Sequence, residues 1–169
     1  MLGLGYEKHV AACRVAVNDS RERVDADIWL KTAGRQFAFQ VVEVMEPERR
    51  RGAEYKALAG GLARGFGYDT ERGRIDGPQW IANAVAQKAA KKYADAEQLN
   101  LLVYANFSAH QLQHVDVVNT ARTYFPAFAS IWVVTNLWLG SLNVSNQLGR
   151  IGGWGIIFTP EQYLRDQAG

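Results

Sequence analysis

Residues 99–105, Leu-Asn-Leu-Leu-Val-Tyr-Ala, are apolar at almost every position, without the alternation a strand shows when one face meets water. A short unbroken apolar run of this kind is expected in a strand covered on both sides. A second one, Ser-Ile-Trp-Val-Val-Thr at 130–135, follows a helical pattern over 109–124 that Pro126 ends. Strand, helix and strand in this order predict a right-handed parallel crossover. The fold class expected is therefore α/β, a central mixed sheet flanked by helices.

The rest of the chain fills in around that crossover. Residues 6–17 suit a short first helix. Two strands follow at 24–30 and 37–45, joined through Lys31-Thr32-Ala33-Gly34-Arg35 as an antiparallel hairpin. Pro47 ends the second strand, and 54–62 reads as a short helix stopped at Gly60-Gly61. Between Gly60 and Gly77 stand six glycines and three arginines, which predict a loop. Residues 79–93 form the clearest helical pattern, with Lys88, Lys91 and Lys92 in its final turns, where cations suit the helix dipole. The tail adds strands at 142–144 and 154–158, and a short helix opened by Pro160.

At 169 residues and 48% apolar composition, with no uninterrupted apolar stretch of about 18, the chain is expected to bury one core as a single domain over 1–169. Its central part runs over about 6–135, with the C-terminal strands and helix over 136–169. No membrane span is predicted. The first residues lack the basic and then apolar pattern of a secretory signal, so a cytoplasmic location is the expectation. Cys13 is the lone cysteine, which excludes an internal disulfide and a cysteine-rich zinc site. The net charge of +2 permits nucleic-acid binding without demanding it.

Chemistry concentrates in the hairpin. Asp25 and Asp27 stand on one strand and Glu43 on the next, among Val41, Val42 and Val44. Carboxylates among apolar strand residues are costly to desolvate unless paired, hydrogen-bonded or bound to a metal. With Asp27 opposite Glu43, two carboxylates would converge on one divalent ion and leave positions for water and a phosphate oxygen, which suits magnesium or manganese. Gln40, at an odd offset from Glu43, is expected on the other face. Arg49, Arg50 and Arg51 follow the second strand, and Arg72 and Arg74 lie in the glycine-rich stretch, where they would meet the phosphates of DNA. The blander alternative is that these charges are solvated surface and that Asp25 pairs with Arg21 or Arg23.

Asp27, a glycine turn, and Glu43-Val44 on the following strand resemble the core of the PD-(D/E)XK, or restriction-endonuclease-like, superfamily. The order of elements from about residue 6 to 135 is similar as well. The resemblance implies a metal-dependent nuclease that hydrolyses DNA phosphodiester bonds, a helix, three antiparallel strands, a helix and a parallel strand, and Mg2+ as cofactor. It implies Asp27 as metal ligand, or Asp25 with a changed hairpin register, Glu43 as the acidic residue of the (D/E)-X-K element, and Glu7 as an extra ligand from the first helix. Met45 stands where that element has its lysine, so the lysine's role would fall to Lys88 or Lys56. A catalytically inactive relative that binds DNA or a protein partner, within a larger assembly or as a homo-oligomer, is the second reading. Five tryptophans in so short a chain prompt a third, an interaction protein with exposed tryptophans at its interface.

Other motifs carry less. His110 and His114 stand at i and i+4, but no Glu adjoins His110 and no third ligand is evident. Gly149, Gly152, Gly153 and Gly155 form no nucleotide signature, and the serines lack a nucleophile-elbow context.

Overall fold

A computed structural model describes residues 1–19, 25–49, 70–91, 93, 95–159 and 162. Helix α1 (Leu2–His9) leads into strands β1 (Arg14–Val17), β2 (Ile28–Thr32) and β3 (Arg35–Val44). Helix α2 (Thr70–Ala89), strand β4 (Asn100–Ala105), helix α3 (His114–Ala121) and strands β5 (Ser130–Val134), β6 (Trp138–Val144) and β7 (Gly155–Ile156) follow. Among the described residues, seven strands make one curled sheet in chain order, β1 to β7. The pairs β3/β4 and β4/β5 are parallel and all others antiparallel. Of the strands in parallel pairs, β4 is buried at all but one position and β5 at every position, as their apolar runs require.

Each face of the sheet has its own core. On one, Leu101, Val103, Ile131 and Val133 pack with Ile81 and Val85 of α2 and Val117 of α3. On the other, Leu30, Phe39, Leu102 and Trp132 pack with Leu2 and Tyr6 of α1. The α1 helix lies in the concave side of the curl and touches both ends of the sheet. Gly3 meets Val15 of β1, Gly5 meets Leu139 of β6, and the Lys8 ammonium donates to the Ile157 carbonyl at 3.2 Å. The C-terminal strands are thus part of the same sheet.

Several local expectations are corrected. Helix is expected over 6–17, but α1 ends at His9 and 14–17 is a strand. Val15 and Val17 are β-branched, and pairing with β2 gives their backbone a ladder that an isolated helical turn lacks. The loop expected up to Gly77 gives way at Thr70 to helix. Gly73 and Gly77 are not loop residues but close-packing points: a Cβ at Gly73 would stand 2.2 Å from the Ser108 carbonyl oxygen, and one at Gly77 would stand 2.7 Å from the Phe107 ring. Pro78 is buried inside the same helix. The third helix spans only His114–Ala121 and passes into a 3-10 turn, Arg122–Ala127, that contains Pro126. The strands expected at 142–144 and 154–158 are Trp138–Val144 and Gly155–Ile156. The helices expected over 54–62 and from Pro160 lie outside the described residues.

Candidate functional site

The hairpin closes through Ala33 and Gly34, and Gly34 has φ +91°, a left-handed conformation that favours glycine. Ile28 faces Phe39 and Thr32 faces Arg35. This register decides the acidic site. Extended by one residue it sets Asp27 level with Gln40, and the Asp27 N–H donates to the Phe39 carbonyl at 2.8 Å. Asp27 is therefore not opposite Glu43. Glu43 lies three residues further along β3, a stagger of roughly 10 Å at about 3.4 Å per residue.

Asp25 and Asp27 sit just before β2 begins. Beyond the last β2/β3 pair, the Val41 N–H donates to Asp27 Oδ2 at 2.7 Å, so the carboxylate satisfies a backbone donor of β3. The neighbouring Gln40 side chain is buried and points to the α2 face, as its offset from Glu43 predicts. Its Nε2 donates to the Asp25 carbonyl. Its Oε1 accepts from Lys88 Nζ at 2.5 Å and from the Tyr93 hydroxyl at 3.2 Å. Burial holds the Lys88 ammonium below its ordinary pKa, with the Asp27 charge opposing. Burial pushes the Tyr93 hydroxyl up, helped by the negative charges of Asp27 and Asp25. Two aspartates, one amide, one ammonium and one phenol thus share a single patch where β2, β3 and the end of α2 meet.

Glu43 belongs to a different group. Alternation along β3 puts it on the face opposite Gln40, where Asn106 Nδ2 donates to its Oε1 at 2.6 Å. Arg49 Nη1 in turn donates to the Asn106 carbonyl at 2.5 Å. Glu7 is on the concave side, where it lines a cleft of about 610 Å³ with Cys13, Val15, Ile28 and Tyr104. Asp27, Glu43 and Glu7 do not form one cage, and among the described residues no three of His, Cys, Asp and Glu are grouped to hold a metal ion. Asp27 alone would supply one carboxylate to a magnesium ion, which would take its remaining oxygens from water or a bound ligand.

The arginines expected to meet DNA are engaged within the chain where they are described. Arg72 lies 3.6 Å from Glu48 and 3.8 Å from Asp76, and stacks over Trp80. Arg74 pairs with Glu71 at 2.6 Å. Lys56, Arg50 and Arg51 lie outside the described residues. His110 and His114 do not converge: Nδ1 of His110 bonds the Ser108 hydroxyl at 3.1 Å, and Nε2 of His114 bonds the Ser141 carbonyl at 3.0 Å. None of the five tryptophans is exposed. Trp132 is fully buried, and Trp138 stacks on Trp154 with centroids 6.3 Å apart, which removes the ground for an interface of exposed tryptophans.

Sequence reasoning assigned Gln40 only a direction and gave Tyr93 no part in the site. The signal for Gln40 was present: a polar amide between Ala38 and Val42 on one face of an apolar stretch of strand. No family model matches the chain, and no curated protein or solved structure does. Among the described residues no helix is long and apolar enough to cross a membrane.

Proposed function

We propose that the chain is a metal-dependent nuclease of PD-(D/E)XK type that hydrolyses DNA phosphodiester bonds, with Asp27 anchoring the metal and Lys88 as the positive group beside it. The observation that carries this reading is the position of Lys88. The element after Glu43 offers Met45 where a lysine is needed, and α2 brings an ammonium to the Asp27 patch instead. The order helix, three antiparallel strands, helix and parallel strand supports the same reading. When bound, magnesium would lower the pKa of a coordinated water and offset charge that develops on the phosphate. The chain's own residues do the rest: Val41 fixes the Asp27 carboxylate, and Gln40 holds the Lys88 ammonium toward the same place. Glu43 acts through Asn106 at the far end of β3, as a support for the chain that follows.

The test is cleavage of plasmid and single-stranded DNA in Mg2+ or Mn2+ by the wild type, Asp27→Asn and Lys88→Met. Metal-dependent cleavage that falls by about 100-fold or more in Asp27→Asn is expected. Undiminished cleavage in Asp27→Asn overturns the assignment of Asp27. DNA binding by the wild type without cleavage favours the inactive relative instead, a reading supported by the engagement of Lys88 Nζ with Gln40.

A further inference from the structure

On the α2 face of the sheet, the first two strands carry a cationic row at a distance from the Asp27 patch. Arg14 of the edge strand β1 stands directly opposite Lys31 of β2. Both are exposed, and neither has an acidic partner among the described residues. Like charges facing each other across an antiparallel pair destabilise it, since their Cβ atoms lie only about 5 Å apart. Lys31 and Trp29 alternate with the buried Leu30, which packs on the α1 side, so both point to the face that carries Gln40.

The rows along this face are regular. Arg14 and Lys31 form the first, Ala16 and Trp29 the second, and Asn18 and Asp27 the third, where the Asn18 N–H donates to the Asp27 carbonyl at 3.0 Å. From the first row to the third is four residues, roughly 13 Å. That distance equals about four nucleotides of one strand at 3.4 Å each along a duplex.

We propose that Arg14 and Lys31 grip the phosphodiester backbone of a nucleic acid strand, which then passes over Trp29 to Asp27 and Lys88. The surface rests on the nuclease reading only in taking nucleic acid as the partner; it does not require cleavage. A competing account of the same charges is that they blunt the edge strand against pairing with another copy. The two accounts part in what neutral variants do.

The experiment measures binding of a fluorescein-labelled DNA oligonucleotide by anisotropy, in EDTA, across a salt series. The proteins compared are the wild type, Arg14→Gln/Lys31→Gln, and Arg150→Gln, a change in the exposed turn between β6 and β7. Circular dichroism verifies that each folds. The double variant is expected to bind about tenfold more weakly at about 0.1 M salt and to lose about two from the slope of log affinity against log salt, with Arg150→Gln unchanged. Lys31→Gln alone, with about one lost from the slope, carries the test if the double variant fails to fold. An unchanged slope in a folded variant overturns the proposal, as does self-association of the variant without loss of binding. Failure of the wild type to bind DNA overturns it too. Loss of slope in a protein that never cleaves DNA upholds this surface while the nuclease reading fails; cleavage with an unchanged slope does the reverse.

Discussion

The Lys88 ammonium donates to Gln40 Oε1 across 2.5 Å, and this bond joins the last turn of α2 to the middle of β3. It also brings a cation close to the Asp27 carboxylate, which the hairpin register places level with Gln40. The amide is the hinge of the arrangement: its nitrogen holds the Asp25 backbone while its oxygen holds Lys88 and Tyr93.

Because burial lowers the pKa of Lys88, the folded chain releases that proton more readily than the unfolded chain, whose ordinary value is 10.5. Between the two values the unfolded state holds more protons, so stability rises with pH through that window. Tyr93 and Tyr6 are raised from 10.0 and act in the opposite sense as pH climbs past that value. Urea unfolding as pH rises toward 10.5 is therefore expected to show the wild type gaining stability relative to Lys88→Met. Parallel curves for the two proteins would show that Lys88 carries no such burden.

Alanine at Gly73 or Gly77 improves helix propensity by about 1 kcal/mol, yet each is expected to destabilise the protein by about 1–3 kcal/mol. The added methyl meets the Ser108 backbone in one case and the Phe107 ring in the other. The Ser108 carbonyl cannot move without shifting the loop after β4, so Gly73→Ala is the more damaging. Denaturant midpoints of the two variants check this; a midpoint above that of the wild type would mean that α2 sits further from the loop.

Asn100 is fully buried at the start of β4 and ties together three segments. Its Nδ2 donates to the Ala38 carbonyl at 2.9 Å, and its Oδ1 accepts from Ser130 at 2.6 Å and Asn146 at 2.8 Å. Asn100→Ala leaves these buried groups without partners and is expected to cost about 3 kcal/mol. Ser130→Ala, which also strands Trp132 Nε1, should cost less, since the Asn146 bond remains. Equilibrium unfolding of both variants orders the two losses, and a neutral Asn100→Ala would require water to replace the amide.

The sequence by itself determined the parallel heart of the protein. Residues 99–105 and 130–135 are apolar in a pattern only a two-sided strand accepts, and β4 and β5 lie side by side as that pattern requires. It determined the hairpin too, because Gly34 supplies a conformation that few other residues adopt. Of the residues it grouped around one ion, the fold sets Asp27 and Lys88 in one patch and Glu43 and Glu7 elsewhere. Alternation told which face Gln40 would take, but not that Asp27 would meet Gln40 instead of Glu43, because register is fixed by the two-residue turn and by packing on both faces. The glycines of 73–77 gave a loop signal that packing reversed, since their missing side chains let α2 close on Phe107 and Ser108. The tertiary structure alone decided these matters. Local propensities weigh tenths of a kcal/mol to about one, and close packing of a helix on a sheet outweighs them.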